Sequence, residues 1–131
     1  MNGLHIIADL YNLPESPLLV SAKVLARRCV LACEAAELTV LGEHFVQFAG
    51  IDPRQAGGAT GAVVLAESHL AIHTWPERGE ATLDIYVCNV TADNTRKAEH
   101  LYAELIAVLA PGDVMMQRVL RGKTLPLEMA I

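Results

Sequence analysis

The chain has no long hydrophobic run, although 53% of its 131 residues are apolar. Nothing reaches the roughly 18 uninterrupted apolar residues that cross a bilayer. The nearest approach, Leu18 to Ala36, is broken by Lys23, Arg27, Arg28 and Glu34. The start, Met1-Asn2-Gly3-Leu4-His5, lacks the basic residues of a secretory signal. A cytoplasmic protein with no membrane partner is therefore expected. Cysteine is scarce: Cys29, Cys33 and Cys88 form an odd set, which argues against a disulfide framework and fits a reducing compartment. Lys and Arg form no long run, so a nucleic-acid partner is not expected. The net charge of −5 mildly favours a cationic ligand. The apolar fraction excludes a disordered chain, and the length makes one domain, residues 1–131, the default.

Gly3 to Leu10 is short and apolar and reads as a strand, ended by the turn formers in Tyr11-Asn12-Leu13-Pro14. Ser16-Pro17 has the form of an N-cap with proline at the first helical position. Leu18 to Glu37, rich in Ala and Leu with no internal Gly or Pro, reads as one helix of about five turns. Val20, Val24, Ala26, Arg27, Val30 and Leu31 give it no clean polar side, so it is expected to be well covered. Leu38 to Phe48 reads as a strand. Ala49 to Gly58 reads as a loop, marked by Gly50, Asp52-Pro53 and Gly57-Gly58. Gly61 to Ala66 and His69 to Trp75 read as short strands, Pro76 to Gly79 as a turn and Glu80 to Cys88 as a strand. Ala98, Leu101, Leu105, Val108 and Leu109 set one apolar face of a helix from about Asn94 to Leu109. Asp113 to Leu120 is a last strand, followed by a tail from Arg121 to Ile131. Strands joined by short turns pair antiparallel. The expected fold class is α+β, a two-layer sandwich with an antiparallel β-sheet and two helices on one face. The other face needs a cover, and a second protomer in a homodimer is the simplest one.

Chemistry concentrates in Ala66 to Glu77, which holds Glu67, Ser68, His69, His73, Glu77 and the only tryptophan, Trp75. On a strand, His69, Ala71, His73 and Trp75 share a face, as do Asp84, Tyr86 and Cys88 on the next. Placing these faces together would gather Ser68, His69, His73 and Cys88 near one point. Taken singly, each histidine could equally be a hydrogen-bonded core residue, and Cys88 a small buried hydrophobe. A metal is not expected: on a strand His69 and His73 lie roughly 13 Å apart, and ligand bonds are only about 2 Å long. A serine-hydrolase elbow would need glycine where Ala66 and Leu70 stand. A P-loop ending at Gly122-Lys123-Thr124 would need glycine where Gln117 stands. Cys29 and Cys33 are four apart on an apolar helix, as core residues or as a redox pair.

The stretch Glu67 to Glu77 closely resembles the processing site of the small prokaryotic S-adenosylmethionine decarboxylases. The resemblance extends to Gly3 through Tyr11, Gly58 through Val64 and Asp84 through Cys88, in the same order. It implies a pyruvoyl-dependent decarboxylase serving polyamine (spermidine) biosynthesis, made as a proenzyme that cuts itself between Glu67 and Ser68 into residues 1–67 and 68–131. In that chemistry the Ser68 hydroxyl attacks the preceding carbonyl, and β-elimination from the ester leaves residue 68 as the pyruvoyl group. This covalent cofactor forms a Schiff base with the substrate amine and accepts electrons as carbon dioxide leaves. The resemblance further implies that His73 is the acid/base residue of processing and that Cys88 returns a proton to carbon. It implies that Phe48 stacks on adenine, Trp75 lines the pocket, and Glu77 binds ribose hydroxyls. Its members place their active sites at a homodimer interface. No diamine-activator site is evident.

Three positions depart from the pattern. Thr60 stands where a serine usually assists processing, so slower cleavage is expected. The connection from Phe48 to Gly58 is longer than usual. Arg78 and Glu80 replace two tyrosines expected beside the substrate pocket. Aromatic faces favour a sulfonium, whereas carboxylates favour a basic amino acid. L-Ornithine or L-arginine therefore stands as an alternative substrate. An uncleaved, inactive paralogue acting as a binding or regulatory subunit is the alternative from another class.

Overall fold

The computed structural model describes residues 2–123 and Leu125, so most of the tail expected after Arg121 lies outside the described residues. The elements are β1 (Gly3–Tyr11), α1 (Pro17–Val20), α2 (Ala22–Ala35), β2 (Val40–Ala49), β3 (Ala56–Leu65), β4 (Ser68–Trp75), β5 (Glu80–Cys88), α3 (Thr95–Leu109) and β6 (Asp113–Arg121). The strands form one sheet in the order β2-β3-β4-β5-β1-β6, antiparallel throughout. The α+β class and the helices on one face follow the sequence expectation. The helix count does not: three stand where two were expected.

The difference lies at Ser21. It adopts an extended backbone (φ −126°, ψ 112°), and its hydroxyl accepts the amide of Val24. Serine competes for backbone hydrogen bonds in this way, so it ends α1 and caps α2 without any glycine or proline. At the other end Glu37 turns left-handed (φ 64°) and the Leu38 amide reaches back to the Cys33 carbonyl, closing α2 before the expected Glu37. Nor is α2 covered all round: Leu25, Cys29 and Cys33 are buried, while Val24 and Leu31 are exposed.

Strand alternation sorts the sheet into two faces. Ile6, Ile85, Leu70 and Val63 are cross-strand neighbours on β1, β5, β4 and β3, and each is fully buried. They join one core with Leu25 of α2 and with Leu101 and Leu105 of α3. Removing such a side chain, as in Leu70→Ala, costs about 2–5 kcal/mol. The intervening residues, among them His5, His69, His73 and Asp84, point to the opposite, helix-free face. Val46, Val64, Met115 and Val119 are exposed there.

Candidate active site

The turn between β3 and β4 is only two residues, Ala66 and Glu67, with Leu65 paired to Ser68. Glu67 takes φ 60°, in the left-handed region. Asn12, Glu37 and Ala110 do likewise at ordinary element ends, so this conformation alone marks nothing. What sets Glu67 apart is the next residue, a serine only 8% exposed. Ser68 Oγ accepts the backbone N–H of Cys88 at 3.3 Å. Cys88 is itself buried, and its carbonyl accepts from Asn94 Nδ2 at 2.8 Å. The Asn94 backbone N–H in turn donates to Asn89 Oδ1 at 2.8 Å. The connection after β5 is thus braced by side-chain amides, which fixes the Cys88 backbone beside the serine.

His73 lies at the other end of β4. It pairs with Thr60 across β3, and its Nδ1 shares a hydrogen bond with Thr60 Oγ1 at 3.1 Å. The indole of Trp75 is 6.3 Å away between ring centroids. Behind them Thr74 is buried; its hydroxyl donates to the Leu19 carbonyl at 2.8 Å and accepts the Ala59 amide at 2.9 Å. This ties α1, β3 and β4 together under the histidine. A cavity of about 350 Å³ opens here, lined by Phe48, Thr60, His73, Trp75, Glu77 and the backbone of the β2–β3 hairpin. Gly58 lets that wall close up, since any Cβ there would collide with the Thr74 carbonyl oxygen.

Phe48, Trp75, Glu77 and His73 therefore line one cavity. Ser68 and Cys88 converge separately. The anticipated gathering of Ser68, His69, His73 and Cys88 at one point does not occur within one chain. Ser68 and His73 are five residues apart on a strand, roughly 16 Å.

His69 belongs to neither end. It sits on the open face with Tyr86 (5.6 Å between centroids) and His5 (6.4 Å). Arg121 Nη1 donates to His5 Nδ1 at 3.2 Å, which leaves the ring proton on Nε2, 3.6 Å from an Asp84 oxygen. Arg121 also lies 4.9 Å over the Tyr86 ring. Burial, and then the neighbouring His5, hold the His69 pKa below its ordinary 6.5, against the pull of Asp84. His5 and Arg121 meet only through the β1–β6 pairing, which no local pattern signals. Burial pushes the Cys29 and Cys33 thiols up to about 12, so in the fold they are core residues and not a reactive pair.

Arg78 and Glu80 lie beside the cavity at His73 and do not line it. They pair with each other, Arg78 Nη2 and Nε donating to Glu80 Oε2 at 2.7 and 3.1 Å. They line a separate recess of about 190 Å³ with Asp9 and Tyr11, and share only Trp75 with the cavity at His73. The connection after Phe48 is shorter than the sequence suggested, because the pairing runs to Ala49 and resumes at Ala56. Among the described residues no group of three or more His, Cys, Asp or Glu could hold a metal ion, and no helix is long and apolar enough to cross a membrane.

An antiparallel sheet with helices on one face, a serine held against a buried cysteine and a histidine-lined cavity define an α+β enzyme. Residues 4–122 match the family model described as S-adenosylmethionine decarboxylase, and the chain belongs to that family. It is 37% identical over 120 residues to the S-adenosylmethionine decarboxylase proenzyme of Thermoplasma acidophilum, covering 92% of this chain and 83% of the relative. To that of Picrophilus torridus it is 35% identical, over 98% of this chain and 91% of the relative. The crystal structure of the adenosylmethionine decarboxylase from Aquifex aeolicus superposes with a TM-score of 0.78 at 35% identity, covering 93% and 92% of the two chains.

Proposed function

We propose that this chain is the proenzyme of an S-adenosylmethionine decarboxylase that cuts itself between Glu67 and Ser68. The observation that carries this is Ser68 itself: a buried hydroxyl after a left-handed residue, gripped by the Cys88 amide, in a chain of this family. The Ser68 hydroxyl adds to the Glu67 carbonyl, and the peptide bond is exchanged for an ester. Loss of the residue-68 α-proton expels the Glu67 carboxylate, leaving dehydroalanine. Tautomerisation and hydrolysis release ammonia and leave a pyruvoyl group at the new N-terminus. The site fits such a group: residue 68 is buried and lies against the buried Cys88, so the surroundings are dry. Bound there, the pyruvoyl group supplies the electron sink for loss of carbon dioxide.

The chain's own residues do the rest. Cys88 lies beside residue 68 and carries the proton returned to carbon. Trp75 and Phe48 present aromatic faces to a sulfonium and an adenine, and Glu77 offers a carboxylate to ribose hydroxyls. His73, oriented by Thr60, handles protons during processing. Since His73 and Ser68 stand at opposite ends of β4, the working site takes Ser68 and Cys88 from one copy and the His73 cavity from a second. The open face, with its exposed Val46, Val64, Met115 and Val119, is the surface on which the copies meet. The case for ornithine or arginine rested on Glu80, whose carboxylate is already paired with Arg78 outside the cavity.

Intact mass and carbon dioxide release test this together. The purified protein should give fragments 1–67 and 68–131, the second blocked at its N-terminus. It should decarboxylate S-adenosylmethionine but neither ornithine nor arginine, and Ser68→Ala should stay whole. A single uncut species after long incubation, or cleavage that survives Ser68→Ala, overturns the reading.

A further inference from the structure

We infer that Gln47 is a positioning residue that sets the aromatic wall of the substrate cavity. The inference rests on reading the cavity at His73 as the substrate site. β2 and β3 slip register just beyond Gln47: Gln47 pairs with Ala59, but Ala49 pairs with Ala56. Phe48 is thus opposed by two residues, Gly57 and Gly58, which makes a β-bulge. Bulges displace ladder hydrogen bonds and re-aim the side chain at the kink, and the displaced carbonyls need donors. Gln47 Nε2 supplies them, lying 3.3 Å from the Phe48 carbonyl, 3.3 Å from that of Gly57 and 3.2 Å from that of Gly58.

The other end of the same amide faces a helix. Gln47 Oε1 accepts the Ala22 amide, the first N–H of α2, at 2.7 Å. A backbone N–H can only donate, so this contact fixes which amide atom is oxygen and which is nitrogen. Gln47 therefore ties the bulge to the start of α2, and the bulge carries Phe48 and the Gly57-Gly58 backbone of the cavity wall. Gly50 and Gly57 allow close backbone approach across this hairpin, where a Cβ would strike the Gln55 carbonyl oxygen or that of Phe48. A hairpin this rich in glycine has little side-chain packing of its own to hold it, which leaves the Gln47 amide as its brace.

Two variants separate positioning from stability. Gln47→Glu keeps an acceptor at the start of α2, where a negative charge is welcome, but sets a carboxylate against the three carbonyls. Gln47→Leu loses both ends. For Gln47→Glu we expect complete cleavage at Ser68, an unchanged melting temperature and kcat within about twofold. Its KM for S-adenosylmethionine should rise roughly tenfold, the scale of one or two hydrogen bonds. Amide hydrogen exchange across residues 48–58 should quicken. Gln47→Leu should show the same rise in KM and a lower melting temperature. Unchanged KM and unchanged exchange in Gln47→Glu would overturn the inference, as would a KM effect that appears only together with lost stability. Exchange reads the brace even in a protein that turns over no S-adenosylmethionine, so a failed substrate assignment and a failed brace give different results.

Discussion

The two ends of β4 are built on opposite plans. At Trp75 the strand leaves through the turn Pro76 to Gly79, where glycine takes the positive φ (63°) that a side chain would resist. The wall of the cavity there is open to solvent: Trp75 is 37% exposed and Phe48 50%. At Ser68 the turn is the tightest in the sheet, its left-handed residue is a glutamate, and the serine and cysteine that follow are buried. One end has the shape of a place that admits a molecule. The other has the shape of a place where a bond is held still. On the proposed reading each carries half of the chemistry, and a single strand keeps the halves apart.

Breaking one half should leave the other recognisable. The largest effect after loss of Ser68 itself is expected from Cys88→Ala: cleavage should proceed, while kcat falls by about a hundredfold, the usual scale for a lost proton donor. Equal turnover would remove the thiol from the mechanism. A smaller effect concerns His69, between the two ends. Its folded pKa is depressed, so the unfolded chain takes up a proton first as the pH falls. Its stabilising contribution is whole above its ordinary pKa of 6.5 and is lost as the pH drops from there toward the lower folded value. Denaturant midpoints should therefore fall across that window, and His69→Gln should flatten the slope; an identical slope would assign the effect to other groups. The smallest effect is expected at Arg78→Ala. Its ion pair is exposed and lies in a different recess, so KM for S-adenosylmethionine should change by less than about twofold. A large change would place Arg78 in the substrate cavity after all.

Much of the fold could be read from local pattern. β5 ends where alternation and flanking turns put it, and Ala98, Leu101, Leu105 and Leu109 are the buried stripe of α3. The break at Ser21 could not be read, because nothing in an Ala- and Leu-rich run says that one serine will cap inward instead of pointing out to solvent. The glycine-rich stretch after Phe48 looked like loop because glycine has no strand preference; the strand nonetheless resumes at Ala56, and Gly57 and Gly58 lie so close to the Phe48 and Thr74 backbone that only residues without Cβ fit. Most of the site residues were visible as types in one motif, with Phe48 and Cys88 outside it. Their division was also within reach of sequence: the spacing rule that parts His69 from His73 parts Ser68 from His73 by more. What no local pattern holds is the company each residue keeps across strands. His5 with Arg121, and Gln47 with Ala22, meet only once the sheet and helices are assembled.

Mixed expression of Ser68→Ala and His73→Ala chains, told apart by mass, tests the division of the site most directly. Each variant alone should remain uncut. Together, a His73→Ala chain keeps its own Ser68 and meets the His73 of its partner, so fragments 1–67 and 68–131 should appear from the His73→Ala chain and from no other. Two uncut chains in the mixture, or cleavage of His73→Ala on its own, would contradict a site shared between two copies.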